Sequence, residues 1–386
     1  MEISERLSQI HEYYFSKKLK EIDDLKKAGK DIISLAIGSP DAPPHPDVVQ
    51  TLHDEALKPN AHGYPSYRGT EILRRAFSEF YKNHYHVDLD PETEVLPLIG
   101  SKEGIFHLCM SYLNPGDEAL IPGLGYATYR AAVLLSGATP VEFSMEEKNS
   151  YFPDFTALEA TDLSKVKLMW VNYPNMPTGQ MPTVNLFEYL IAFGKKHNIL
   201  ICHDNPYSFI LNDHPMSLLS IPGAKETAVE LNSLSKSHNM PGWRIGMLAA
   251  RKDIATDILR FKSNIDTGMF NVMQVAAAKA LALPDSWYAD LNSEYRKRRV
   301  LAHHFLDALN CGYNLEHSGM FVWAKIPDHY KDAFEITDKI LYELGIFITP
   351  GQVFGSSGDR FVRVSLCAPV PVFEKAIDRV KVARWS

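Results

Sequence analysis

The chain has 386 residues, 45% hydrophobic and 23% charged, with 40 Lys+Arg against 47 Asp+Glu and a formal net charge of −7. These are ordinary globular proportions, and the length allows two or three domains around a large core. Disorder, collagen-like repeats and small disulfide scaffolds are excluded. An acidic balance argues against a nucleic-acid partner, whose phosphates demand an excess of basic charge.

Cys109, Cys202, Cys311 and Cys367 form no CxxC pair, so zinc spacing and a disulfide framework are both absent from the sequence. Three of them sit in apolar surroundings, as buried reduced thiols do. Residues 1–10 lack the apolar core of a signal peptide. The longest apolar stretch, near 131–135, is far shorter than the about 20 residues of a membrane helix. A reducing cytoplasm without a membrane partner is the expected setting.

In chain order, residues 1–30 predict a charged amphipathic helix, stopped by Lys26-Lys27-Ala28-Gly29-Lys30. Short buried strands are expected at 95–99, 118–121, 139–143, 167–172, 199–203, 229–233 and 245–250. Between them, 103–113, 126–135 and 184–197 carry apolar residues three and four apart, the spacing of helices. Alternating strands and helices predict an α/β fold, its sheet largely parallel and covered on both faces. Residues 292–309 predict a long helix rich in Arg, Lys and His, followed by apolar pieces at 320–325, 346–349 and 361–365. The expected organisation is a large domain over 46–288 and a smaller α+β domain built from 1–45 and 289–386.

Chemistry concentrates in Ser233-Leu234-Ser235-Lys236-Ser237-His238-Asn239-Met240-Pro241-Gly242-Trp243-Arg244. A lysine that forms a Schiff base must lose its proton, which a nearby cation and desolvation both favour. Ser233, Ser235 and Arg244 supply donors for a phosphate. Alone, such a Ser-x-Ser-Lys is better read as a surface loop. Context changes this. Asn172-Tyr173-Pro174-Asn175-Met176-Pro177-Thr178-Gly179 follows one strand and presents an amide on a rigid turn. His203-Asp204-Asn205-Pro206-Tyr207 places a carboxylate and a phenol at the C-terminal end of another, the edge where open α/β sheets bind ligands.

With Ile37-Gly38-Ser39-Pro40-Asp41, Tyr64-Pro65-Ser66-Tyr67-Arg68-Gly69, Gly100-Ser101-Lys102-Glu103-Gly104, Pro122-Gly123-Leu124-Gly125-Tyr126, Thr349-Pro350-Gly351-Gln352-Val353-Phe354-Gly355 and Phe361-Val362-Arg363-Val364-Ser365-Leu366, these segments span nearly the whole chain. Together they resemble the class I/II aminotransferases that depend on pyridoxal 5′-phosphate, of the aspartate aminotransferase fold (fold type I). Gly-Ser-Lys-Glu-Gly and Asn264-Ile265-Asp266-Thr267-Gly268-Met269-Phe270 are similar to the branch of LL-diaminopimelate and alanine aminotransferases.

The resemblance implies a large domain with a mostly parallel seven-stranded sheet, and it implies roles. Lys236 matches the lysine that holds the cofactor as an imine and shuttles the substrate proton. Asp204 matches the partner of the pyridine nitrogen. Tyr207 and Asn175 correspond to donors to the ring 3′ oxygen, and Tyr126 to the ring-stacking residue. Ser101, Ser233, Ser235 and Arg244 are similar to phosphate ligands. Lys102 is less standard: phosphate, a second substrate carboxylate or solvent are its three options. Arg363 matches the grip on the substrate α-carboxylate, assisted by Gly38 and Asn175. Tyr64 resembles a tyrosine lent by a neighbouring subunit, which implies a homodimer with shared active sites.

The implied reaction carries the amino group of an L-amino acid to a 2-oxo acid such as 2-oxoglutarate, in ping-pong order. A carbon–sulfur β-lyase on the same fold is the alternative; a non-enzymatic effector-binding module and a dinucleotide-binding oxidoreductase are weaker, the latter lacking GxGxxG after a strand. His84-x-His86 and His303-His304 lack the partners of a metal site. His238 is expected to cap its loop, and Tyr13, Tyr14 and Phe15 to serve helix packing rather than substrate contact, with a place at the edge of the site as the alternative that the resemblance offers. Arg68 is a candidate for a distal carboxylate only because it follows Tyr64 closely.

Overall fold

The computed structural model describes residues 2–10, 12, 14–383 and 385. Its strands, in chain order, begin with β1 (Ile33–Ser34), β2 (Val95–Leu98), β3 (Glu118–Pro122), β4 (Thr139–Phe143), β5 (Val166–Val171), β6 (Leu200–Asp204), β7 (Ala228–Ser233) and β8 (Gly246–Ala249). β2 to β8 form one seven-stranded sheet in the order β2-β8-β7-β6-β5-β3-β4. Only β8 runs antiparallel to its neighbours, β2 and β7. The other pairs are parallel.

Burial on both faces explains why these strands are apolar throughout rather than alternating with polar residues. On β5, Leu168 and Trp170 join one core while Met169 and Val171 join the other. Helices Ser101–Tyr112, Thr128–Leu135 and Lys252–Lys262 cover the first face. Helices Glu71–Tyr85, Val184–His197 and Asn271–Leu281 cover the second.

Three expectations need correction. β4 is an edge strand, exposed or half-exposed except at Phe143, because it pairs with β3 alone. The N-terminal helix is not continuous over 1–30: helix occurs at Glu5–Ser8, where nothing is buried, and at Tyr14–Lys27, where Phe15 and Ile22 anchor it. The long helix starts earlier, running Asp285–Ala308 after Pro284. Tyr288 continues the buried stripe of Asn292 and Tyr295 upstream, so the 288/289 boundary falls inside a single helix.

The remaining strands are β9 (Gly312–Tyr313), β10 (Phe321–Lys325), β11 (Ile346–Phe347), β12 (Thr349–Pro350) and β13 (Phe361–Ser365). Four of them make an antiparallel sheet in the order β12-β13-β10-β9, while β1 pairs in parallel with β11. Ser365 N–H donates to the Leu35 carbonyl at 2.7 Å, so the chain's first strand region lies against its last. Residues 35–38 are thereby carried to the edge of the large sheet where β5 and β6 end. Among the described residues no helix is long and apolar enough to cross a membrane.

Candidate active site

A cavity of about 360 Å³ opens where β5, β6 and β7 end beneath the small sheet. Gly38, Ser101, Lys102, Tyr126, Asp204, Tyr207, Ser233, Ser235, Lys236, Arg244 and Arg363 all line it. Residues from six separate segments thus converge on one space, as the order of the motifs predicts.

Asp204 is the last residue of β6 and is 5% exposed. Its Oδ2 accepts the Tyr129 hydroxyl at 2.9 Å, and its backbone carbonyl accepts Asn172 Nδ2 at 2.6 Å. Its Oδ1 is buried without a hydrogen-bond partner. Burial pushes the carboxyl up to about 6, against the opposing effect of the Tyr129 hydrogen bond. Tyr207, three residues on, is buried, and burial raises its phenol well above the ordinary range.

Lys236 stands on a single helical turn, Leu234–Ser237, that Ser233 caps through its bond from Ser235 N–H. Its Nζ donates to the Gly38 carbonyl at 2.6 Å. Burial lowers the pKa of Lys236; Arg363 and Arg244 add to the effect, while Cys367 and Asp204 oppose it. Gly38 is required by close approach, since a Cβ there would lie 2.3 Å from Phe321 Cζ.

At one end of the cavity, helix Ser101–Tyr112 points its N-terminus inward, where unpaired N–H groups and the helix dipole favour an anion. Gly100 precedes it with φ +78°, and a Cβ there would come within 2.1 Å of Arg244 Nη2. The guanidinium therefore reaches the helix start only because residue 100 has no side chain. Ser233 and Ser235 hydroxyls meet at 3.0 Å beside it. Lys102 Nζ lies 5.9 Å from the Tyr126 ring centre.

At the other end, Arg363 projects from β13 and is 4% exposed. Nη2 donates to the Ala36 carbonyl at 2.9 Å and Nη1 contacts Met176 Sδ at 3.3 Å. Its guanidinium lies 3.9 Å from the Phe321 ring centre and 4.5 Å from that of Phe354, a cation–π cage that holds the fork in place.

Two expected residues are not brought to the cavity. Asn175 spends its side chain inside its own turn: Oδ1 accepts from the Thr178 hydroxyl at 2.7 Å and Nδ2 donates to the Asn172 carbonyl at 3.3 Å. Its neighbours Asn172 and Met176 line the wall. Tyr64 is 90% exposed and lies outside the cavity of its own chain.

Sequence reasoning missed Tyr129, although its spacing three residues after Tyr126 at a helix start was a usable signal. Phe321 and Phe354 gave no such signal, being apolar residues among many. Phe15 and Leu19 line the cavity, Tyr14 packs near Phe334, and Tyr13 lies outside the described residues. His238 is buried between Ser237 Oγ at 2.9 Å and Tyr288 OH at 3.0 Å, away from the cavity. Glu103, His107 and Asp266 bring possible metal-ligating atoms within 4.8 Å of one another. Lys262 Nζ, 2.5 Å from Asp266 Oδ2 and 3.6 Å from Glu103 Oε1, already supplies a cation there.

A buried lysine with a lowered pKa, a buried carboxylate with a spare oxygen, a helix N-terminus beside an arginine and two serines, and a caged arginine fit a pyridoxal-phosphate enzyme of fold type I. Residues 30–380 match the family model of aminotransferase class I and II, and the chain belongs to that family. It is 39% identical over 383 residues to an LL-diaminopimelate aminotransferase of Halothermothrix orenii, covering 99% of this chain and 98% of that protein. It is 36% identical over 382 residues to one of Aquifex aeolicus, covering 98% of each. Among solved structures, substrate-bound BacF from Bacillus subtilis superposes with a TM-score of 0.94 at 33% identity, covering 100% of this chain and 98% of that one. An aminotransferase from Staphylococcus aureus gives 0.90 at 30%, covering 99% of each.

The protein is therefore an aminotransferase that moves an amino group between an amino acid and a 2-oxo acid with pyridoxal phosphate. These relatives are aminotransferases, which disfavours the carbon–sulfur lyase alternative. The residues also suit the cofactor. Asp204 Oδ1 has an unmet capacity to accept a hydrogen bond, and the missing Cβ of Gly100 lets the Arg244 guanidinium reach the helix start, where an anion is favoured.

Proposed function

We propose that the protein takes the amino group from LL-diaminopimelate, or from an L-amino acid with a similar second polar end, and delivers it to 2-oxoglutarate in ping-pong order. The observation that carries this reading is that two cations besides Arg244, namely Arg363 and Lys102, reach the same cavity from different walls. One serves the α-carboxylate, leaving the other for a distal group. The relatives named above as LL-diaminopimelate aminotransferases support the same donor.

Pyridoxal phosphate, when bound, supplies an aldehyde to capture the amino group and a ring to accept electron density from Cα. Lys236 Nζ, whose pKa burial lowers, would hold that aldehyde and would take and return the substrate Cα proton. Asp204 would keep a proton on the ring nitrogen, and Tyr207 would donate to the ring 3′ oxygen. Tyr126, which lines the cavity, would pack against the ring. Ser101, Ser233, Ser235 and Arg244 would hold the phosphate, together with the N-terminus of helix Ser101–Tyr112. Arg363 orients the α-carboxylate with a fork that lysine cannot reproduce, and the backbone of Gly38 closes that side. The large domain over 46–288 carries the cofactor and the two chain ends close over it.

Exposed Tyr64 fits a residue that serves the neighbouring subunit, so the functional unit in this reading is a homodimer with shared sites, working in the cytoplasm. A second donor class has its own support: Phe15, Leu19, Ile37 and Phe354 give the cavity an apolar wall suited to a large apolar side chain. A donor screen with 2-oxoglutarate and pyruvate, followed by the cofactor's pyridoxal-to-pyridoxamine spectral change, separates them. Fastest turnover with LL-diaminopimelate supports the first reading. Fastest turnover with aromatic or aliphatic donors replaces it with the second. Release of ammonia and pyruvate from cystathionine without any oxo acid contradicts both.

A further inference from the structure

Two segments from opposite ends of the sequence bound the substrate end of the cavity. Residues 35–38 carry Gly38, whose carbonyl accepts Lys236 Nζ at 2.6 Å, and β13 carries Arg363. They are joined directly: Arg363 Nη2 donates to the Ala36 carbonyl at 2.9 Å, and the Ser365 hydroxyl to the Ile37 carbonyl at 2.8 Å. Three residues past Gly38 and three past Arg363, at Asp41 and Leu366, the same two segments meet on a side chain that does not line the cavity.

That side chain is Arg298, buried on the helix Asp285–Ala308. Nη1 donates to Asp41 Oδ1 at 2.6 Å and Nη2 to Asp41 Oδ2 at 3.2 Å, a two-pronged grip on the carboxylate. Nη1 also donates to the Leu366 carbonyl at 3.2 Å, and Nε to Glu294 Oε1, one helical turn back, at 3.1 Å. A planar guanidinium can serve these partners at once, where an ammonium presents a single point. The helix is itself tied to the lysine turn, since Trp287 Nε1 donates to the Ser237 carbonyl at 2.8 Å. One rigid element therefore fixes the position of Lys236 relative to both substrate-side segments.

We propose that Arg298 is a positioning residue for substrate binding: it clamps Asp41 to Leu366 and so sets the gap between the Gly38 backbone and the Arg363 fork. The inference rests on the reading that Arg363 and Gly38 hold the α-carboxylate. A displacement of about 1 Å between two such groups is enough to cost binding heavily, even when its cause lies outside the site. The residues assigned to the cofactor, Ser101, Asp204, Ser233, Ser235 and Arg244, lie on segments to which Arg298 makes no hydrogen bond, so its influence falls on the substrate. The Asp41 side chain is 30% exposed, so breaking the pair leaves that carboxylate in contact with water rather than sealed and unpaired.

The test uses holoenzymes of Arg298→Gln, Asp41→Asn, their double variant and Arg363→Lys. Each half-reaction is followed by the cofactor's spectral change, with L-glutamate in one direction and 2-oxoglutarate in the other, alongside the pyridoxal phosphate dissociation constant. R298Q is expected to raise the half-saturating concentration of both acids about tenfold, with the limiting rate within about threefold and cofactor affinity unchanged. D41N, which keeps one acceptor, should raise it about threefold, and the double variant should be no worse than R298Q, because both changes open one clamp. Lower thermal stability with unchanged half-saturation in R298Q and D41N overturns the proposal, as do additive losses in the double variant or an equal loss of cofactor affinity. Half-saturation unmoved by R363K overturns the role of Arg363 instead. Should R298Q not fold, D41N, altered at a water-exposed carboxylate, decides by the same measurements.

Discussion

The Tyr129 hydroxyl, held on the helix Thr128–Leu135, donates to Asp204 Oδ2 at 2.9 Å, and no other side-chain donor to that carboxylate is found among the described residues. Both side chains are buried. The bond stabilises the ionised carboxylate and leaves its second oxygen without a hydrogen-bond partner, as the proposed role of Asp204 at the cofactor's ring nitrogen requires.

Tyr129→Phe removes this bond and little else, because the phenyl ring keeps its stack on Trp170 at 5.3 Å. The Asp204 pKa then rises further. Hydrogen bonds to charged groups contribute about 1.5–3 kcal/mol, so cofactor affinity is expected to fall at least tenfold. Equilibrium titration of the apoenzyme with pyridoxal phosphate at two pH values checks this, and the loss should be larger at the lower pH.

Asp204→Asn should stabilise the cofactor-free protein while disabling it. In the folded apoprotein burial raises the carboxyl from 3.8 to about 6, so protonation favours the folded state. The contribution of Asp204 is thus fully present below the unfolded value and is lost as the pH rises through 6. Asparagine carries no such penalty. Urea denaturation of the two apoproteins should show a stability gap that widens from pH 4 to pH 8 by up to about 3 kcal/mol. A gap independent of pH contradicts the buried-charge account.

Arg363→Lys keeps the charge but loses the fork and its seat between Phe321 and Phe354. The expected result is a roughly hundredfold loss of kcat/KM, carried mostly by KM for both the amino acid and the oxo acid. Cofactor binding should be unchanged, which absorbance of the purified variant tests.

Gly100→Ala places a Cβ where Arg244 Nη2 now lies, in a left-handed backbone conformation that disfavours a side chain. Displacing the guanidinium should weaken pyridoxal phosphate more than pyridoxal, and comparison of the two affinities isolates the phosphate contribution.

Much of this site is legible in the sequence because it sits at strand ends, where Asp204, Lys236 and Ser101 interrupt otherwise apolar runs. The strands themselves are recovered within a residue or two, except that the exposure of β4 depends on the absence of a further strand beyond it. Asn175 shows the limit. A turn rich in Pro and Asn announces itself, but which residue faces the cavity is decided by hydrogen bonds within the turn, and these put Met176 there. The aromatic cage of Arg363 is likewise assembled from β10, β13 and the segment after β12, with no local pattern to mark it. Arg298 and Asp41, 257 positions apart, reveal their relation only in the folded chain.

The central claim is that Lys236 carries the cofactor. Borohydride reduction of the purified holoenzyme, followed by peptide mass spectrometry, tests it most directly. The visible absorbance should bleach and the cofactor mass should appear on the peptide containing Lys236 alone. A label on another lysine, or a protein that purifies and reconstitutes without any bound cofactor, would contradict it.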